Sequence, residues 1–149
     1  MKKSDEKIIK KRKEDNNLIK TGSSGREINS KSLERVKMGI KEFDNMVEGG
    51  FEKNSINLVV GGLGSSKTIF GMEFLMEGMK QGENVLHISF EESKNEFYRN
   101  MNQLGWDLEK WEKNGNFTFL EYSPEKVKMM LDEGGGAIES MVYNKKIKR

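Results

Sequence analysis

Residues 56–68 read Ile-Asn-Leu-Val-Val-Gly-Gly-Leu-Gly-Ser-Ser-Lys-Thr. The first five form a short apolar run, β-branched at three positions, of the kind that makes a buried strand. The next eight open on Gly61 and close on Lys67-Thr68, the spacing of a phosphate-binding loop. Beyond the loop, Phe70, Phe74, Leu75 and Met79 mark one face of a helix predicted to run to about Gln81, with Gly82 as its stop. Strand, glycine loop and helix in that order make an anion cradle. Gly61, Gly62 and Gly64 let backbone N–H groups turn inward to form a nest that a Cβ would obstruct. The helix N-terminus adds the positive end of its dipole. In such a loop Lys67 reaches the β- and γ-phosphates of a nucleoside triphosphate, and the Thr68 hydroxyl ligates Mg²⁺. The candidate nucleotide-binding residues are therefore Gly61, Gly62, Gly64, Ser65, Ser66, Lys67 and Thr68, with Thr68 also the candidate metal ligand.

One position departs from the rule. Ser66 stands where the motif has glycine before its lysine, and places a side chain where the backbone approaches the phosphates most closely. The competing reading is a Gly/Ser-rich turn with no ligand. Lys67-Thr68 at the right spacing, with a strand before and a helix after, favours the loop.

On either side the same alternation continues. Ile40, Phe43 and Val47 are at helical spacing, and Gly49-Gly50 stop that helix. Val85–Phe90 is a second buried-strand candidate. A helix over roughly Lys94–Leu104 would bury Phe97, Met101 and Leu104, and Phe117–Leu120 is a further strand. Pro124 suits the first turn of a short helix over Glu125–Leu131; Gly134-Gly135-Gly136 break it, and another helix covers Ala137–Tyr143. Strands alternating with helices predict an α/β fold, a parallel sheet flanked by helices.

Composition limits the rest. The chain of 149 residues suits one modest domain. It is 34% hydrophobic and 34% charged, with a mean hydropathy of −0.76, polar enough to predict an unfolded portion or a thin core. There is no cysteine, which excludes disulfides and zinc–thiolate sites. No apolar run approaches the roughly 18–20 residues that cross a bilayer, so a cytoplasmic protein with no membrane partner is expected. Charge is uneven: through Lys37 there are 12 Lys/Arg against 6 Asp/Glu, and afterwards 14 against 18. Residues 1–34 are read as a basic, disordered leader, residues 35–143 as the folded part and residues 144–149 as a basic, unpatterned tail. The basic head could touch nucleic acid through its lysines, but acidic residues are mixed into it and it has no aromatic for base stacking; a solvated leader is the simpler reading.

With these motifs in view, the chain resembles the KaiC-like branch of the RecA superfamily of P-loop ATPases. Arg35–Asp44 looks like that family's opening segment, with Met38 in place of a threonine and Gly49-Gly50 as the following turn. Lys67–Phe70 followed by Glu73-Phe74-Leu75 resembles the loop-exit helix. Ser89-Phe90-Glu91-Glu92-Ser93 resembles the strand end that carries a pair of catalytic glutamates, and Leu104–Leu108 and Glu121–Glu125 are further family-like signatures. The resemblance covers roughly Arg35–Met141. It implies ATP and Mg²⁺ as cofactors, the loop as a Walker A motif, and Glu91 and Glu92 as catalytic residues. The residues support this independently: a carboxylate at the carboxyl end of a parallel strand can orient the attacking water. The bland alternative is an acidic turn that favours the next helix's dipole.

The second element of such ATPases, the Walker B strand ending in aspartate, is not found. Phe117–Glu121 is rejected for that role because the resemblance places it one element earlier. The fold expected is thus a partial RecA-like P-loop NTPase, the N-terminal half of a domain truncated before Walker B, and hydrolysis is left open. Two other functions stand beside ATP binding. One is a non-catalytic interaction module docking on a full-length RecA-type ring, which makes homo- or hetero-oligomers with RecA-like subunits the expected partners. The other is a nucleic-acid-associated, recombinase-like accessory role.

Overall fold

The computed structural model describes residues 33–132 and 136–149. The expected leader lies outside them except for Leu33 and Glu34, as do two of the three glycines expected to break the helix after Pro124.

The chain enters through β1 (Arg35–Val36) and α1 (Lys41–Met46), then returns as β2 (Phe51–Glu52), antiparallel to β1 with Val36 opposite Phe51. Two sequence features hold this small unit. The Asp44 carboxylate, 8% exposed, accepts the main-chain N–H groups of Met38 (2.7 Å) and Gly39 (3.2 Å), so the segment before the helix is tied to the helix itself. Gly50 has φ 121°, and a Cβ there would collide with the Val36 carbonyl; only glycine fits this return.

α2 (Lys67–Lys80) follows the glycine loop and ends before Gly82, whose φ of 79° is the expected left-handed stop. Its buried face is Met72, Leu75, Met76 and Met79. This differs from the predicted face. Phe70 and Phe74 sit to the side and pack on the entry unit, with Phe43–Phe70 ring centroids at 5.2 Å and Phe51–Phe74 at 5.9 Å.

β3 (Val85–Ser89) and β4 (Phe117–Glu121) form a parallel pair in register from Val85↔Phe117 to Ser89↔Glu121. The crossover between them holds α3 (Lys94–Gln103) and α4 (Leu108–Lys113). Phe97 and Met101 are buried as the helical spacing predicts, whereas Leu104 is half exposed where Gly105 (φ 83°) ends the helix. Asp107 caps α4 by accepting from the Lys110 N–H at 3.0 Å. The core lies between α2, the β3–β4 pair and this crossover, centred on Phe97, Phe117, Val85, Leu108 and Met79. α5 (Pro124–Asp132) and α6 (Gly136–Asn144) complete the helices.

Two segments depart from the sequence reading. Residues 56–60 run without a strand partner among the described residues, and Ile56, Leu58 and Val60 are exposed, Leu58 by 87%. Their composition suits the interior of a sheet, but the β3–β4 pair does not reach them. Residues 144–149, read as an unpatterned tail, instead line β3. Asn84 bridges Ile147 in parallel, the Leu86 N–H donates to the Arg149 carbonyl at 2.8 Å, and Val85 donates on the other side to Asn116. β3 is therefore flanked on both edges. The Arg149 guanidinium is buried against Glu83 as an ion pair, donates to the carbonyls of Lys37 (2.8 Å) and Phe74 (3.1 Å), and lies 4.6 Å from the Phe74 ring centroid.

Candidate functional site

The glycine loop delivers Lys67 and Thr68 to the first turn of α2, where the main-chain N–H groups have no partner within the helix. Ser66 is the helix N-cap residue. Its φ of 59° and ψ of 24° are left-handed, and its hydroxyl makes no capping bond. The turn itself explains why the motif favours glycine here: the chain must swing from loop into helix through a conformation that costs an L-residue. Gly64, at φ 73°, meets the same demand without a side chain.

The Lys67 ammonium folds back over the loop, donating to the carbonyls of Gly61 (2.9 Å) and Gly62 (2.8 Å). Ser65 Oγ closes the same ring by donating to the Gly62 carbonyl at 2.8 Å. A Cβ on Gly61 would run into this Ser65 hydroxyl, so the residue opening the motif is constrained by the loop's own packing. The six residues from Gly61 to Ser66 thus curl around a cationic centre that is exposed to solvent.

At the carboxyl end of β3 the chain turns through Phe90, Glu91 and Glu92 before α3 begins. The buried Ser89 hydroxyl fixes that turn, donating to the Glu92 carbonyl (2.8 Å) and accepting from the Glu92 N–H (3.0 Å). The Asn100 amide donates to Glu92 Oε1, while the Glu91 side chain is exposed. A cavity of about 220 Å³ brings the two halves of the site together: Thr68 lines it with His87, Ser89, Glu91 and Glu92. The structure therefore places Thr68 and both candidate glutamates on one space. Among the described residues no group of three or more His, Asp or Glu could by itself hold a metal ion, so a cation at Thr68 would need oxygens from a bound phosphate as well.

His87, the single histidine of the chain, lies within β3. Its ring is stacked, 4.4 Å from Phe97 and 5.4 Å from Phe119 between centroids, and burial pushes its pKa below the ordinary 6.5. It also faces the cavity, which the sequence reading did not foresee. The signal was available in the strand's period of two, which puts His87 on the same face as Ser89. Asn100 carried no comparable signal, because its partner lies on the turn before the helix. A larger cavity, about 690 Å³ between α3 and α4, contains none of the candidate residues. Its charges are already partly paired, Lys94 to Glu112 at 2.7 Å, and burial with the nearby Glu112 raises the pKa of its Tyr98 hydroxyl. The candidate residues line the smaller space.

A family model described as "ATPase: KaiC" matches residues 36–147. The circadian clock protein KaiC3 of Synechocystis is 39% identical over 93 residues, covering 62% of this chain and 18% of that protein. A UPF0273 protein of Pyrococcus horikoshii is 38% identical over 87 residues, covering 58% of this chain and 35% of the relative. Among solved structures, a KaiC-like protein from P. horikoshii superposes with a TM-score of 0.69 at 33% identity, over 78% of this chain and 51% of the other. The chain thus spans about half of that structure and a smaller share of the curated relatives. No helix among the described residues is long and apolar enough to cross a membrane.

Proposed function

This chain belongs to the KaiC ATPase family, and from that premise we propose that it binds ATP with Mg²⁺ through the Walker A loop Gly61–Thr68. The observation that carries the reading is the loop itself, curled around Lys67 at the start of α2, with Thr68 opening onto the cavity shared by Glu91 and Glu92. The glycine-loop N–H groups and the α2 dipole receive the phosphates, and Lys67 exchanges its carbonyl partners for phosphate oxygens. Thr68 would hold Mg²⁺, which neutralises the charge on the phosphates. Glu91 and Glu92 are assigned to orienting the attacking water at this edge. Ser66, left-handed at the entry to α2, places a side chain beside the phosphates, so the reading rests on binding rather than on turnover.

Titration of the full chain with a fluorescent ATP analogue and Mg²⁺ tests it. Saturable binding by wild type that is lost in Lys67→Ala is the expected result. Equal weak signals from the two proteins would reject the loop's role.

A second reading rests on the exposed run at 56–60. An apolar segment open to solvent suits docking on a RecA-type subunit, and oligomers with such subunits are the proposed partners. Co-purification with a full-length family member is its test. A nucleic-acid role rests on the basic leader alone; salt-sensitive binding to single-stranded DNA that disappears when residues 1–34 are deleted would support it.

A further inference from the structure

The pair Glu91-Glu92 reads as a symmetric motif in sequence, but the fold treats its members differently. Glu92 is held at three points. Its N–H and carbonyl are both engaged by the Ser89 hydroxyl, and its carboxylate accepts from Asn100 Nδ2 on α3. Glu91 is exposed and has no side-chain partner of this kind among the described residues.

Asn100 is free to reach Glu92 because its nearest competitor is occupied. On a helix the residue four positions earlier lies one turn away on the same face, and for Asn100 that residue is Glu96. Glu96 belongs to the capping arrangement at the α3 N-terminus. Ser93 Oγ accepts from the Glu96 N–H at 3.4 Å and donates to the Glu96 carboxylate at 2.8 Å. That bond draws the Glu96 carboxylate towards the helix start and leaves the Asn100 amide to the residue before the cap.

We propose that Asn100 is a positioning residue for Glu92, fixing one oxygen of that carboxylate so that the other is presented to the cavity it shares with Thr68, while Glu91 stays conformationally free. The two glutamates then have separate tasks: Glu92 is the preset carboxylate, and Glu91 can move with the ligand. The amide donor restricts the rotation of the carboxylate, the property that a water-orienting group needs before substrate arrives. This inference rests on the nucleotide reading of the site, and its test separates the two.

The first readout needs no ligand. In ¹H–¹⁵N spectra of the full chain, the Asn100 side-chain amide should carry one proton shifted downfield by its carboxylate partner. Glu92→Ala should abolish that shift and Glu91→Ala should leave it in place. An amide unmoved by Glu92→Ala, or moved equally by both, overturns the assignment. The second readout is kinetic. Asn100→Ala should bind the fluorescent ATP analogue as wild type does but hydrolyse ATP about tenfold more slowly. Asn100→Leu, of similar shape but without a donor, should behave in the same way with its circular dichroism unchanged. Reduced nucleotide affinity with unaltered turnover overturns the role, as does a wild type that binds nucleotide and hydrolyses none. A wild type that binds no nucleotide sinks the ATP reading instead, and the amide shift still decides whether Asn100 holds Glu92.

Discussion

Ser66 shows how a single residue can be read in sequence and explained only by its backbone. The motif rule marks it as the place where glycine belongs, and the left-handed φ of 59° supplies the reason. An L-residue there costs about 1 kcal/mol relative to glycine. Ser66→Gly should therefore raise the melting temperature by a few degrees and tighten binding of the ATP analogue; thermal unfolding and titration of the same variant check both. A lower melting temperature would mean that the serine is not strained. Asp44 is the opposite case, legible as part of a family-like Phe-Asp pair but with no hint in sequence that it caps the N–H groups of Met38 and Gly39. His87 makes a pH prediction. Burial favours its neutral form, so its folded pKa is lowered. Above pH 6.5 folded and unfolded chains both hold it neutral and it contributes no slope. As pH falls through 6.5 the unfolded chain takes up the proton first, and stability is lost. His87→Phe, which keeps an aromatic ring between Phe97 and Phe119, should flatten denaturation midpoints measured between pH 7 and pH 5. A slope unchanged by the substitution would assign it to other groups.

At the scale of elements, the reading succeeded where the pattern was local and missed where it was not. The parallel pair β3–β4 and the helix α3 were visible because apolar periodicity and turn residues agree within one stretch of chain. α4 was missed because six residues, with Leu108 and Trp111 as the apolar positions, are too few to show a period. The buried face of α2 was partly misplaced. Its phenylalanines looked like the core, yet the core took the methionines, whose flexible side chains fill the space over β3 while the rings pack on α1 and β2. The run at 56–60 taught the sharpest lesson. Apolar β-branched residues say that a segment wants a sheet interior; they do not supply the neighbour, since strand pairing is a long-range event. The exposed run should bind a hydrophobe-sensing dye. Replacing Ile56 and Leu58 together by Thr should reduce the dye signal severalfold while leaving far-ultraviolet circular dichroism unchanged. A signal that survives both substitutions would place the exposed apolar surface elsewhere.

For the molecule as a whole, the α/β architecture and the family were legible because separate motifs recur in order from Arg35 onward, so one altered loop glycine did not obscure them. The contact made by the last residues was not legible, since nothing in Lys-Lys-Ile-Lys-Arg distinguishes a solvated tail from a strand beside β3. Arg149 joins the segment before α1, the helix α2 and the turn before β3 through Lys37, Phe74 and Glu83. Removing a buried charge while its partner stays costs about 3 kcal/mol, so Arg149→Ala should lower the urea midpoint markedly, and Arg149→Lys should recover only part of the loss. Asn84 adds a temporal dimension to this arrangement. Its side chain bonds Asn116 across 32 positions of chain and the Lys145 carbonyl across 61. Closing the longer loop costs only about 0.6 kcal/mol more on its own, but the shorter one is backed by the buried helices of the crossover. The β3–α3–α4–β4 unit should therefore be formed in the folding transition state, with the Arg149 segment docking afterwards. In stopped-flow kinetics Phe117→Leu should slow refolding, whereas Arg149→Ala should chiefly speed unfolding. The same side chain that sits at the junction of two strand pairings would then mark the boundary between the early and late events of assembly.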